Sequence, residues 1–324
     1  MPAGSWELYT VDDGRAVAFR GTEVADWVGL EPDRSYERDG VAFRTLPAPA
    51  GERLATVATV NDVHFGEKVC GLVEGGDGPD PGPVFTAEPG DPPYPETMNA
   101  AVVEEIEALS PDAVVVKGDL TNDGTDEEYA AFLRCYGRFG ARLTHVRGNH
   151  DSYRGQSFAA GTRELVVPGA LLAVLDTTTP FAAGGRVPTD QIDWLDELAA
   201  RADRPVLVFG HHHPWDPASG RRSDGYFGIN PSDSEALISV VARRRSIVGY
   251  FAGHTHRNRV RRFAATGAVP WVEVASVKDY PGTWAEYRVH DDAVVQVAHR
   301  ARRRDALRWT ERTRHMFGGL YGRY

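Results

Sequence analysis

The chain has 324 residues, 42% of them hydrophobic and 25% charged, with a formal net charge of −10 at pH 7. No apolar run is as long as a membrane span, which excludes a transmembrane helix. Two cysteines, Cys70 and Cys135, exclude a disulfide framework, and the acidic balance weighs against nucleic acid as a partner. The start, MPAGSWELYTVDDGR, has no basic segment followed by an apolar one, so no secretory signal and a cytoplasmic location are expected.

Residues 1–50 read as a small β appendage. WELYTV and RAVAFRG flank Asp12–Asp13–Gly14, and SYER and VAFRTL flank Asp39–Gly40. Asp-Gly between strand-like runs signals a hairpin. LPAPAGE (46–52) reads as a linker to a main domain over 51–299. LATVATV (54–60) is the first buried strand and runs into NDVHFG, with Asp62 and His64. Residues 71–97, dense in Gly, Pro and acids, are an unusually long loop, read as a lid over the site or as a solvated insertion. A helix at 98–109 and the strand AVVVK (113–117) follow, ending in KGDLTND with Asp119. A helix at 126–138 and LTHV (143–146) lead to RGNHD, with Asn149, His150 and Asp151. A helix at 190–202 and PVLVF (205–209) lead to FGHHHPW, with His211, His212 and His213. A helix at 233–245 and IVGYFA (247–252) lead to AGHTHRN, with His254 and His256. Strands at 270–277, 284–290 and 293–298 are expected to complete the second sheet. Residues 300–324 carry eight arginines against Asp305 and Glu311. They read as a basic, partly amphipathic helix and an aromatic tail, expected to dock on the acidic surface of this chain or of a second copy in a homo-oligomer, with an anionic membrane or nucleic acid as the alternative.

Strands of a mainly parallel sheet point the same way, so the five clusters converge at one edge, where such sheets bind ligands. Imidazole nitrogen with Asp and Asn oxygen suits Mn, Fe, Co or Zn, and no thiolate takes part. Asp119, directly after Gly118, is placed to bridge two ions about 3.5–4 Å apart. Two divalent ions against Asp62, Asp119 and a hydroxide leave about one positive charge, a local trap for a phosphate anion.

In order, the clusters spell D-x-H, G-D, G-N-H-D, H-H-P and G-H-x-H. Over 51–299 this resembles the calcineurin-like metallophosphoesterases, and within them the class III cyclic nucleotide phosphodiesterase and glycerophosphodiesterase group. The resemblance implies an α/β fold, a four-layer αββα sandwich. It implies two divalent metal ions, one held by Asp62, His64, Asp119 and His256, the other by Asp119, Asn149, His212 and His254. His212 is chosen among three adjacent histidines because it lies two residues before Pro214. Members attack phosphorus with a metal-bridging hydroxide, with His150 stabilising the transition state or protonating the leaving oxygen and Asp151 orienting it. The implied substrate is a small-molecule phosphodiester. A phosphomonoester, then a nuclease role, then a non-catalytic binding protein are the alternatives. Asn122 stands where purple acid phosphatases place a tyrosine, which puts a ferric–tyrosinate pair in doubt. The end of the 1–50 appendage is similar to the end of a fibronectin type III module, as a remnant too short for the full seven strands.

Overall fold

A computed structural model describes residues 5–71, 84–223 and 225–316. At the N-terminus β1 (Glu7–Val11), β2 (Arg15–Arg20) and β3 (Glu23–Val28) form an antiparallel sheet, and β4 (Ser35–Arg38) pairs with β5 (Val41–Arg44). Both Asp-Gly segments are the turns of these hairpins. At the second turn Asp39 and Gly40 take φ of 49° and 78°, the left-handed region such turns require. Strand β3 is an addition that the turn signals do not announce.

The main body runs β6 (Arg53–Val60), α1 (Tyr94–Leu109), β7 (Ala113–Lys117), α2 (Asp126–Tyr136), β8 (Leu143–Val146), β9 (Arg163–Val167), β10 (Ala170–Val174), α3 (Thr189–Arg201), β11 (Val206–Phe209), α4 (Pro231–Arg243) and β12 (Ile247–Ala252). It ends with β13 (Arg259–Arg261), β14 (Trp271–Glu273), β15 (Thr283–His290), β16 (Val294–Arg300) and α5 (Arg304–Thr313). One sheet has the order β16-β15-β6-β7-β8, the other β13-β14-β12-β11-β10-β9. The strands β6, β7 and β8 are parallel, as are β10, β11, β12 and β14.

The four layers follow from the two-residue period of a strand. In β6 and β7, Ala58, Val60, Val114 and Val116 face α1 and α2, whereas Ala55, Val57, Ala113 and Val115 face the other sheet. In β10 and β11, Leu171, Ala173, Val206 and Val208 face α3 and α4, whereas Leu172, Val174, Leu207 and Phe209 point inward. Strands apolar on both faces need cover on both, which gives helix, sheet, sheet, helix.

Two expectations are corrected, in α1 and in the C-terminal strands. Helix α1 starts at Tyr94, not at 98, because Pro95 suits a first helical turn. Of the loop read as a lid or insertion over 71–97, residues 72–83 lie outside the described residues. The strands expected together at the C-terminal end divide between sheets: β14 pairs parallel with β12, while β15 and β16 extend the sheet of β6. The division follows from side chains: Tyr287 and Val289 of β15 belong to the inter-sheet core, whereas Trp271 of β14 packs with α4 residues.

Helix α5 packs on the chain's own body. Trp309 stacks on Tyr94 at 4.1 Å between ring centroids, and its Nε1 donates to Lys278 O at 2.8 Å. Leu307 joins Tyr9, Val17 and Phe19 of the N-terminal sheet. Among the described residues no helix is long and apolar enough to cross a membrane.

Phe209 is fully buried between the sheets, 5.4 Å from the Phe251 ring and 5.6 Å from that of Tyr287. Phe209→Ala should cost about 3–5 kcal/mol in urea unfolding. A loss below about 1 kcal/mol would mean that the sheets do not pack face to face here.

Candidate metal centre

The site is built where strands end. Asp62 and His64 follow β6, Asp119 follows β7, Asn149 and His150 follow β8, His211 follows β11, and His254 and His256 follow β12. The backbone turns sharply at these points. Asp62, His64, Asp119, His254 and His256 have φ of 54°, 47°, 50°, 70° and 52°. Left-handed backbone is costly for residues with a Cβ, and such strain gathers at functional sites. Three glycines permit the close approach. A Cβ on Gly148 would stand 2.2 Å from Asp119 Oδ1, one on Gly118 2.5 Å from His211 Nδ1, and one on Gly253 2.8 Å from Asp62 Oδ2.

The side chains converge into overlapping groups. Ligand-type atoms of Asp62, His64 and His256 lie within 4.8 Å of one another, as do those of Asp62, Asp119 and His211, of His64, Asp119 and His150, and of His211, His212 and His254. Asp119 Oδ2 is 3.4 Å from His64 Nε2 and 3.3 Å from His211 Nε2. Asn149 Oδ1 is 3.0 Å from His211 Nε2, and Asp62 Oδ1 is 3.5 Å from His256 Nε2. Both ring nitrogens of buried His64 lack a hydrogen-bond partner. An imidazole so placed, beside a buried carboxylate, fits a cation.

Outer contacts select which nitrogen faces inward. His256 Nδ1 donates to Asp279 Oδ2 at 2.8 Å, His211 Nδ1 to Lys117 O at 2.9 Å, and His254 Nε2 to Phe227 O at 2.8 Å. Asn149 Nδ2 donates to Tyr153 Oη at 2.6 Å, which leaves its Oδ1 toward the centre. Such contacts orient metal-binding groups.

Two of the expected site residues, His212 and Asp151, have contacts other than those expected. The central imidazole of the triplet is His211. Its Nε2 faces Asp119 and Asn149, whereas His212 has Nδ1 at 2.9 Å from Thr177 Oγ1 and Nε2 at 3.2 Å from Ala183 O. Among the described contacts Asp151 makes no hydrogen bond to His150. Its carboxylate accepts from Leu120 N, Thr121 N, Thr121 Oγ1 and Gly148 N, tying two loops together. His150 Nδ1 instead donates to Asn122 O at 2.8 Å. The sequence reading missed Asp279, Glu67, Lys278 and Tyr153. The one signal for the first and third was a Lys-Asp pair interrupting an apolar run.

Burial works to raise the Asp119 carboxyl, but the charges of His211 and His150 hold it well below the usual carboxylate range. Burial works to lower His211, yet the Asp119 charge beside it raises it to about 9. His256 likewise rises against burial to about 10, through Asp279 and Asp62. Burial, aided by the Lys278 charge, lowers His64 to about 4.

Residues 55–258 match the calcineurin-like phosphoesterase family, which spans all five motif-bearing strand ends. The chain belongs to that family. Members carry divalent metal ions, and the convergent groups above are a candidate site for them. The chain is similar to a probable cyclic nucleotide phosphodiesterase from Synechococcus, 27% identical over 49% of this chain and 63% of the relative. It is similar also to a glycerophosphodiester phosphodiesterase from Enterobacter lignolyticus, 30% identical over 49% of this chain and 61% of the relative. The matches thus span about six-tenths of these relatives' length. A dimetal phosphatase from Danio rerio shares the fold, with a TM-score of 0.57 and 16% identity, over 78% of this chain and 97% of that one.

Metal ligation requires neutral imidazole. In the metal-free protein at pH 7.5, His211 and His256 hold ring protons, since both titrate above that pH. Loading with Mn²⁺ should therefore release about two protons, and affinity should rise with pH up to about 9–10. Calorimetry in buffers of different ionisation enthalpy reads this directly. No release would contradict ligation by these two rings.

Proposed function

We propose that the protein is a dinuclear metal-dependent phosphodiesterase acting on a small molecule, of the cyclic nucleotide or glycerophosphodiester kind. The observation that carries it is the sharing of Asp119 between two groups of donors. In this reading Asp62, His64 and His256 hold the first ion with Asp119. Asn149, His211 and His254 hold the second with Asp119, His211 taking the place first given to His212. When bound, two divalent ions supply Lewis acidity at the phosphoryl oxygens and an acidified water. Mn, Fe, Zn and Co all suit these donors.

The remaining chemistry belongs to side chains. His150 Nδ1 donates to a backbone carbonyl, so Nε2 bears a proton only in the cationic ring. That form neutralises phosphoryl charge or protonates the leaving oxygen. Its ring lies 4.5 Å from that of His64, beside the ligands and not among them in this reading. Tyr153, 4.9 Å from His150 between centroids, fixes Asn149 through its hydroxyl.

Charge favours a diester. A monoester is nearly a dianion at pH 7 and gains from added Lys or Arg. Three basic residues near the motifs are engaged elsewhere, while Arg257 beside His256 lies 3.9 Å from Glu273: Lys117 Nζ donates to Ala252 O, Arg147 pairs with Asp176 and Lys278 pairs with Glu67. The names of the two curated relatives above are in keeping with a diester. Turnover with Mn²⁺ on cyclic nucleotides, glycerophosphodiesters, monoesters and single-stranded DNA tests the proposal.

Two outcomes are expected. kcat/KM for bis(p-nitrophenyl) phosphate should exceed that for p-nitrophenyl phosphate at pH 7–8, and a clear preference for the monoester would make the protein a phosphatase. His150→Ala should retain two ions by elemental analysis while kcat falls by about 10²–10⁴. Joint loss of metal and activity would move His150 into the ligand set.

A further inference from the structure

Behind two of the imidazoles lies a buried ion cluster that the chemistry above does not use. Lys278 Nζ is 2.6 Å from Glu67 Oε2 and 3.6 Å from Asp279 Oδ2. Asp279 Oδ2 accepts from His256 Nδ1 at 2.8 Å, and Glu67 Oε2 faces His64 Nδ1 at 3.9 Å. One ammonium therefore joins two carboxylates, and each carboxylate stands behind one imidazole of the Asp62, His64 and His256 group. Lys278, Glu67 and Asp279 are 4%, 9% and 0% exposed. Burying three charges is costly, and apolar side chains of similar volume are often neutral or better for stability. Packing alone does not account for the cluster.

Its backbone is braced from both sides. Ser276 Oγ accepts from Lys278 N at 3.1 Å and donates to Asp62 O at 3.1 Å. On the other side Trp309 of α5 donates to Lys278 O, and Tyr280 N donates to Thr313 Oγ1 at 3.0 Å. The segment 276–280 thus connects the C-terminal helix to the first metal motif.

We propose that Glu67, Lys278 and Asp279 are positioning residues for the first ion: Asp279 aims His256, Glu67 backs His64, and Lys278 holds the two carboxylates together as one unit. A carboxylate accepting Nδ1–H fixes the tautomer and turns the Nε2 lone pair toward the ion with greater basicity. At His256 the Nε2 atom already faces Asp62 Oδ1, at 3.5 Å. The ammonium between two acids leaves a single net negative charge behind both rings. The unit therefore acts on one ion of the pair, since no member touches Asn149, His211 or His254 among the described contacts.

The inference rests on the two-ion reading above, and the experiment separates them. Metal-free full-length protein is titrated with Mn²⁺ by calorimetry and with Co²⁺ by visible absorption, for wild type, Asp279→Asn and Glu67→Gln, with circular dichroism melts of each. Wild type should bind two ions; fewer would reject the two-ion reading itself. Each variant should bind one ion as wild type does and the other about 10–100-fold more weakly, with a changed Co²⁺ band for that ion alone. Wild-type affinity for both ions in both variants would overturn the assignment. So would an equal weakening of both ions together with a lowered melting temperature, because that marks a structural cluster. If Asp279→Asn does not fold, Glu67→Gln decides by the same criteria; if neither folds, the cluster is a folding element and the assignment fails.

Discussion

The rest of the site depends on one buried carboxylate at the end of β7. Asp119 is 2% exposed, sits in left-handed backbone, and lies within 3.4 Å of two imidazoles from different strand ends. Its Oδ1 also accepts from His150 N at 3.0 Å. A bare carboxylate in such a place would be expensive. It is kept ionised by the positive charge gathered around it, and the imidazoles are kept there by its negative charge. The dependence is mutual, and it draws loops from both sheets to one point.

The scaffold meets this demand with backbone geometry. Five residues of the proposed ligand set occupy left-handed conformations, and glycines at 118, 148 and 253 let neighbouring loops come within contact distance. Asp151 then fastens the loop after β7 to its own loop after β8 by three hydrogen bonds, and a fourth from Gly148 N closes that loop. Strain of about 1–3 kcal/mol per such residue persists only where surrounding contacts over-determine it. Here those contacts are the two sheets beneath and the hydrogen bonds between loops.

The chain ends are structurally continuous with the centre. Tyr9 of β1 accepts from Asn258 Nδ2 at 2.9 Å, two residues past His256, and Asn258 Oδ1 accepts from Ala275 N at 3.0 Å. Arg314, at the end of α5, pairs with Glu7 and stacks over Tyr280. The N-terminal sheet and the C-terminal helix therefore clamp the 275–283 segment that carries Lys278 and Asp279. Neither behaves as a separate module in its contacts.

Much was legible in the sequence because it depends on local patterns. Val-rich runs of strand length, each ending in Gly or Asn before a metal-binding residue type, mark β6, β7, β8, β11 and β12, and amphipathic spacing marks the four helices between them. The family followed from motif order. What the sequence could not decide depends on contacts across the fold. Three adjacent histidines look alike in one dimension, and only the exit of the chain from β11 over Gly118 turns His211 toward Asp119 and leaves His212 to Thr177 and Ala183. Asp151 adjoins His150 in sequence, yet three of its donors come from Leu120 and Thr121 in the loop after β7. Asp279 is 23 residues from His256 and Glu67 is 211 from Lys278, and no local periodicity brings them together. Residue type determines which atoms can bind a metal; the packing of sheets and loops decides which of them face it.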